Sequence, residues 1–395
     1  MIYLYKVSKI TAVLLVFALL APAGAAGASG YAEPAQGGIS VSAPAAIAVD
    51  TATKQVIFDK NADEKRPAGT VTKTMSLLLF ARALEKGDWT VDEEVQVSEN
   101  AAKQGGASAF LDNGGKYKLG ELLRAVCMIS ANDACMALAE KYAGTEEAFV
   151  QRMNECAAEL GLKDVAFTNC TGLPEDSAPL SARDIAVIAC ELSTHSRILQ
   201  YCDVWLYTFE HSGGRETELT NANRLIRSYE DCDGLQTGSS AKSGYCMAAT
   251  ARRASTRLVC VVMGNADSAG RQKDATSLFE YGFANFTSLK AVRQGEIVER
   301  NVPVEGGVTP LTHVVSMQDL TVLVPKGTES ALAKEVALDK ALVAPLKAGE
   351  PLGTVQVRQG DNVLASAPVT VKEDIAVSSL MYYIKAVLRD WIKLF

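Results

Sequence analysis

The chain has 395 residues, with 39 basic against 46 acidic side chains and a net charge of -7. That length exceeds what one hydrophobic core usually holds, so two domains are expected, and no basic cluster tracks phosphates, which argues against nucleic acid as a partner. The nine cysteines, at 127, 135, 156, 170, 190, 202, 232, 246 and 260, show no zinc or haem spacing; most read as small buried hydrophobes, and their odd number suggests no framework of bridges.

Lys6 and Lys9 precede the apolar run from Ile10 to Ala21, and the small-residue segment from Pro22 to Ser29 follows. This is the pattern of a secretory signal peptide, with an apolar core too short to span a bilayer comfortably and Ala-x-Ala cleavage options ending at Ala25 or Ala28. Residues 1–28 are therefore expected to be a leader, and the mature protein to work outside the cytoplasm. Next, the apolar runs Ala46–Val49 and Gln55–Phe58 flank Asp50-Thr51-Ala52 and predict a hairpin.

It leads into Arg66–Ser76, where Thr70 stands three residues before Lys73. Val71, Met75, Leu78 and Leu79 recur at helical spacing, so a helix is predicted from Thr70 to a C-cap at Gly87. A hydroxyl one turn from an amine that burial can make basic is suited to be an acyl-transfer nucleophile and its base. The same pattern also arises by chance, since Thr is a common N-cap.

A polar, Gly-rich segment separates Val91 from Lys118, and three helices are then predicted: Leu119–Ile129, Cys135–Tyr142, and one after Thr145 that carries Phe149, Met153 and Ala157 on one side. Between the first two lies Ser130-Ala131-Asn132. Ser181–Asp184 opens another helix, Gly244–Ala251 and Arg257–Gly264 read as strands, and a helix is expected from about Arg271 to Phe286. From Val292 to Val371 short β runs separated by Gly, Pro and Asp predict a small all-β domain. In the tail, Val377, Leu380, Met381, Ile384, Val387, Leu388, Trp391 and Ile392 share one helical arc, facing Lys385, Arg389 and Lys393. That distribution suits a helix lying in an anionic membrane surface, although a helix packed on its own domain gives a similar stripe.

Hydroxyl-x-x-Lys at 70–73, Ser-x-Asn at 130–132 and Gln236-Thr237-Gly238 before a strand follow the motif order of penicillin-binding proteins and class A β-lactamases. Through Arg66–Met75, Ile129–Glu140, Thr171-Gly172-Leu173 with Ser181–Asp184, and Asp233–Gly238 with Gly244-Tyr245, the chain resembles the low-molecular-mass penicillin-binding proteins. These are the serine-type D-alanyl-D-alanine carboxypeptidases of peptidase family S11. The resemblance runs from about residue 45 to the C-terminus. It implies an α+β fold: a penicillin-binding, β-lactamase-like transpeptidase domain of antiparallel sheet and helical cluster (29–290), a β-rich domain (291–372) and an amphipathic anchor helix (373–395).

It also implies removal of the terminal D-Ala from peptidoglycan stem pentapeptides through an acyl-enzyme. Thr70 would hold the nucleophile position, Lys73 would be the general base and Ser130 the proton relay. Asn132 would position the substrate amide, and the backbone N–H groups of Thr70 and Ser239 would form the oxyanion hole. A cation at position 236, beside Thr237 and Gly238, would hold the terminal carboxylate. No metal or cofactor is required. The partners implied are the stem peptide, β-lactams and, through the tail, the extracytoplasmic face of a bacterial membrane.

Two departures fall on this chemistry: the family's nucleophilic Ser is Thr70, and the Lys of its Lys-Thr-Gly is Gln236. The β-methyl of Thr stiffens χ1 beside the attacking oxygen, and Gln carries no charge to meet a carboxylate. Two functions follow as alternatives, a carboxypeptidase with reduced turnover or a relative that binds peptidoglycan or a cell-wall partner without turnover. Ser76 reads as a core-facing hydroxyl, Lys242 as a solvated loop lysine, and His195, His211 and His313 as incidental.

Overall fold

The computed structural model describes residues 38–173, 179–211, 213–382 and 384. The expected leader at 1–28 and the last part of the expected anchor helix, 385–395, lie outside the described residues. The first hairpin forms where the apolar runs predict it, as β1 (Ala45–Asp50) and β2 (Val56–Lys60). After it, a 3-10 turn at Gly69–Thr72 opens α1 (Lys73–Lys86), which closes on Gly87 in the left-handed conformation, φ 79°. The α-helix thus starts at Lys73 and not at Thr70, because its first turn, Gly69–Thr72, takes the tighter 3-10 geometry. Eleven of the fourteen residues of α1 are buried, as expected for a helix at the centre of a cluster.

Around α1 the chain builds β3 (Glu94–Gln96), α2 (Glu99–Ala102) and β4 (Lys116–Lys118), then α3 (Leu119–Ile129), α4 (Asn132–Ala143) and α5 (Glu146–Glu159). α6 (Ala182–Leu192) begins with a capping box in which Ser181 and Asp184 satisfy each other's backbone N–H. α7 (Ser196–Cys202), the hairpin β5 (Leu206–Glu210) and β6 (Glu216–Thr220), and α8 (Leu225–Ser228) follow. β7 (Cys232–Ser240), β8 (Gly244–Arg253) and β9 (Thr256–Asn265) then complete a five-stranded antiparallel sheet in the order β2-β1-β9-β8-β7. α9 (Ser268–Asn285) covers its other face.

Why these strands read as unbroken apolar runs is visible in their faces. In β9, Val259, Val261 and Met263 pack with the helical cluster, while Leu258, Cys260 and Val262 pack with α9. β1 divides in the same way, Ala45, Ile47 and Val49 against Ala46 and Ala48. With side chains alternating between two buried faces, both sets must be apolar.

β10 (Phe286–Val292), β11 (Ile297–Glu305), β12 (Leu311–Ser316), β13 (Leu320–Pro325), β14 (Leu332–Leu338), β15 (Leu342–Val343), β16 (Gly353–Gln359) and β17 (Asn362–Val371) form the β-rich region. Six of them make a sheet in the order β14-β16-β17-β12-β11-β15, and β10 pairs with β13. Their shared core includes Val292, Val314, Val322, Val355, Val369 and Val371. The architecture is α+β, an antiparallel sheet with a helical cluster followed by a β-rich region.

The tail is strapped back onto this region where the Ser378 amide donates to Gly306 O at 2.7 Å and the Tyr382 hydroxyl to Val308 O at 2.9 Å. Residues 380–382 are helical, and Leu380, Met381 and Ile384 are exposed. No helix among the described residues is long and apolar enough to cross a membrane.

Candidate active site

The 3-10 turn places Thr70 against β7. Its hydroxyl donates to the carbonyl of Thr237 at 3.1 Å. The approach is so close that a Cβ on Gly238 would lie 2.8 Å from Thr70 Oγ1 and 3.1 Å from the amide nitrogens of Thr70 and Val71, so this position admits no side chain. On the other flank a Cβ on Gly172, at φ +82°, would meet Gly69 O at 2.0 Å. Two glycines distant in sequence thus let two chains close on the Thr70 turn.

Lys73 begins α1 and is fully buried. Its ammonium donates to Thr171 O at 2.9 Å, and among the described residues no carboxylate forms an ion pair with it. Burial lowers its pKa to about 8, against the opposing pull of Cys135, Cys170 and Asp133. Such a value suits a group that must accept a proton near neutrality. Thr70 and Lys73 flank one site but are not hydrogen-bonded to each other: the hydroxyl points to β7 and the ammonium to the segment 169–173, which Asn169 holds by accepting from the amides of Thr171 and Gly172. Ser76 is buried and donates to Cys170 O at 2.7 Å, a core-facing hydroxyl.

Ser130 and Asn132 come from the junction of α3 and α4. Ser130 caps α3 in the left-handed region at φ 57°, an uncommon conformation for a residue with a side chain, and this abrupt turn starts α4 two residues later. Asn132, almost fully buried, donates from its side-chain amide to Gly105 O at 2.6 Å and from its backbone to Ala107 O at 2.7 Å. Asp133, beside it, accepts from the Ser108 hydroxyl at 2.6 Å and from the amides of Ala109 at 3.0 Å, Leu111 at 3.1 Å and Ala134 at 2.8 Å. Asn132 and Asp133 together fasten the loop at 105–111 over the site. Asp133 directly follows Ser-x-Asn, within Ile129–Glu140, yet nothing in the sequence marks it as the clamp of that loop.

Gln236, Thr237, Gly238 and Ser239 lie inside β7, ahead of the strand β8 that the sequence predicts at Gly244–Ala251. β7 is the last strand of its sheet. In an antiparallel strand the N–H and C=O of one residue point the same way and alternate along the chain. The Thr237 carbonyl faces the Thr70 turn, so the Ser239 N–H lies on that same open edge. From behind, the buried guanidinium of Arg271 braces the strand by donating to Gly238 O and Cys246 O, each at 3.1 Å. Gln236 is buried, and its amide nitrogen is turned to the end of α3, where it donates to Val126 O at 3.0 Å and Cys127 O at 3.5 Å.

The three histidines lie against other groups of the fold. His195 lies 2.8 Å from Glu85, His211 2.8 Å from the Thr217 hydroxyl, and His313 is in β12. All nine cysteines are free and buried. Among the described residues no group of His, Cys, Asp and Glu is placed to hold a metal ion.

A family model described as D-alanyl-D-alanine carboxypeptidase, peptidase S11, matches residues 31–267, and one described as the penicillin-binding protein 5 C-terminal domain matches 286–377. The chain is 32% identical over 352 residues to D-alanyl-D-alanine carboxypeptidase DacF of Bacillus subtilis, covering 89% of this chain and 90% of that one. To DacA of Escherichia coli K12 it is 27% identical over 363 residues, 89% of each. Among solved structures, penicillin binding protein 5 from Haemophilus influenzae superposes with a TM-score of 0.77 at 28% identity, covering 86% of this chain and 99% of that one.

Proposed function

Because the chain belongs to the D-alanyl-D-alanine carboxypeptidases of peptidase family S11, we propose that it acts on D-alanyl-terminated stem peptides of peptidoglycan through an acyl-enzyme on Thr70, with reduced turnover. The observation that carries this reading is the buried Lys73, whose pKa is lowered to about 8, on the same turn as a hydroxyl held against the edge of β7. In the proposed cycle Thr70 Oγ1 leaves Thr237 O and attacks the peptide carbonyl. Lys73 accepts its proton, and Ser130 passes a proton to the departing amine. The N–H groups of Thr70 and Ser239 receive the oxyanion.

Reduced turnover follows from two features. Thr70 must give up its hydrogen bond to Thr237 O before its hydroxyl can turn to Lys73, and its β-branched side chain turns about χ1 less freely than that of serine. That same bond of Thr70 favours the second reading, a relative that binds peptidoglycan or a cell-wall partner without turnover.

Intact-mass analysis after incubation with a β-lactam separates the two. A covalent adduct absent from Thr70→Ala is expected, and no adduct at any dose leaves the binding reading. The sign of the pH dependence follows from Lys73: only the neutral amine accepts a proton, so acylation should rise with pH through a midpoint near 8 and then level. A rate independent of pH between 6 and 9 would remove Lys73 from the role.

We further propose that residues 29–290 carry this activity, 291–372 form a separate β-rich domain, and 373–395 lie on the extracytoplasmic face of the cell membrane. Exposed Val377, Leu380, Met381 and Ile384 support the last point. Deleting residues 375–395 should release the exported protein from the membrane fraction; unaltered fractionation would contradict the anchor.

A further inference from the structure

Two buried nucleophiles beside Lys73 have no part in the acyl-transfer chemistry. Cys135 of α4 and Cys170 of the segment 169–173 are both 0% exposed, and with Asp133 they are the groups whose charge faces the Lys73 ammonium. Their thiols are hydrogen-bonded to each other. Cys135 Sγ also lies 3.4 Å from Cys170 O, which accepts from the Ser76 hydroxyl. Two sulfurs thus meet where α4 touches the segment that supplies Thr171 O to Lys73.

The two thiols are not alike. Burial pushes the Cys135 thiol up, but its bond with Cys170 and the charge of Lys73 outweigh burial and hold it below its ordinary range. That bond, with burial, pushes the Cys170 thiol well up. Glu146 of α5, which accepts from the Cys170 amide at 3.0 Å, opposes ionisation of both sulfurs, and Lys73 is the cation that favours it at Cys135. A thiolate held against a thiol is the arrangement that oxidation converts to a disulfide through a sulfenic acid. Cys127 and Cys202 make a second hydrogen-bonded pair, and neither is among the groups facing Lys73.

We propose that Cys135 and Cys170 form a reversible oxidation site for hydrogen peroxide, which closes them to a disulfide beside Lys73. The Cys135 thiolate attacks one peroxide oxygen; the O–O bond breaks, hydroxide leaves, and the sulfur becomes a sulfenic acid. Cys170 then gives up its proton, and its sulfur attacks Cys135 Sγ and breaks the S–O bond. Counting the proton that Cys135 lost on ionising, two thiols and one peroxide give one disulfide and two waters. Hydrogen peroxide is little larger than water, so a brief local opening admits it.

Closure has a consequence for the lysine. A disulfide carries no charge, so two of the three groups that raise the pKa of Lys73 are removed, Asp133 remains, and burial still lowers it. The oxidised protein therefore keeps the amine neutral to lower pH than the reduced one.

Treating the reduced exported chain with hydrogen peroxide, then digesting it without reductant for mass spectrometry, tests the site. A peptide pair joined through Cys135 and Cys170, lighter by two hydrogens and separated by dithiothreitol, is expected. In Cys170→Ser the reaction should stop at a Cys135 sulfenic acid that dimedone captures. Magnetic resonance of protein carrying isotopically labelled lysine follows Lys73, whose midpoint near 8 should move to lower pH on oxidation. Unmodified thiols, or a link between Cys127 and Cys202 in place of this pair, overturn the site. Failure of dimedone to capture Cys135 overturns its role as the attacking sulfur, and an unmoved Lys73 midpoint in the linked protein overturns the coupling. These readouts follow sulfur and lysine and not turnover, so their failure is distinct from failure of the acyl-enzyme reading, which shows as a missing β-lactam adduct.

Discussion

Serine at position 70 will acylate with a β-lactam about ten- to a hundredfold faster than threonine, the range expected when a reacting atom is misplaced by about 1 Å. The hydroxyl of Thr70 is held at 3.1 Å on Thr237 O, and Gly238 leaves no space on the strand side because even a Cβ there would lie 2.8 Å from Oγ1. Turning Oγ1 toward Lys73 therefore swings the threonine methyl within a tight enclosure, whereas serine carries only hydrogens there. Stopped-flow acylation of Thr70→Ser against the native chain reads the difference. Equal rates would mean that the methyl is no obstacle.

Replacing Asp133 by alanine will destabilise the protein by about 3–5 kcal/mol, the range reached when a buried hydrogen-bonded network loses its shared partner. The carboxylate is fully buried and serves four donors, three of them on the loop at 108–111. Alanine leaves the amides of Ala109 and Leu111 buried without that acceptor. Asp133→Asn keeps one oxygen and should lose less. Urea unfolding followed by circular dichroism measures both, and a midpoint unchanged in the alanine variant would show that the loop finds other acceptors.

What the sequence could convey depended on whether a residue's role is local. Both faces of β9 and β1 are buried, so their apolar runs could be read without knowing their neighbours. Gly87 was readable as a cap because a helix end and its left-handed residue are adjacent. The start of α1 was not, since it depends on Gly69 and on Gly172, about a hundred residues away, which closes against it. The same holds for Gln236. Its lack of charge was plain, but the direction of its amide is set by two carbonyls of α3 at separations of 110 and 109 residues. Asp133 is legible as a carboxylate in an apolar helix, while its partners lie in a Gly-rich segment with no periodicity to align. The hairpin of β5 and β6 escaped notice because each strand buries a single side chain, Phe209 and Leu219.

The distribution of the thiols has a consequence for how unfolding can be watched. All nine lie between Cys127 and Cys260, in the helical cluster and its sheet, and the β-rich region has none. A buried thiol reacts with an alkylating reagent only when its surroundings open. Alkylation followed by peptide mass mapping would therefore give a residue-by-residue account of opening in the helical cluster and its sheet while remaining blind to the β-rich region, so the two parts of one chain can be followed separately without introducing a label.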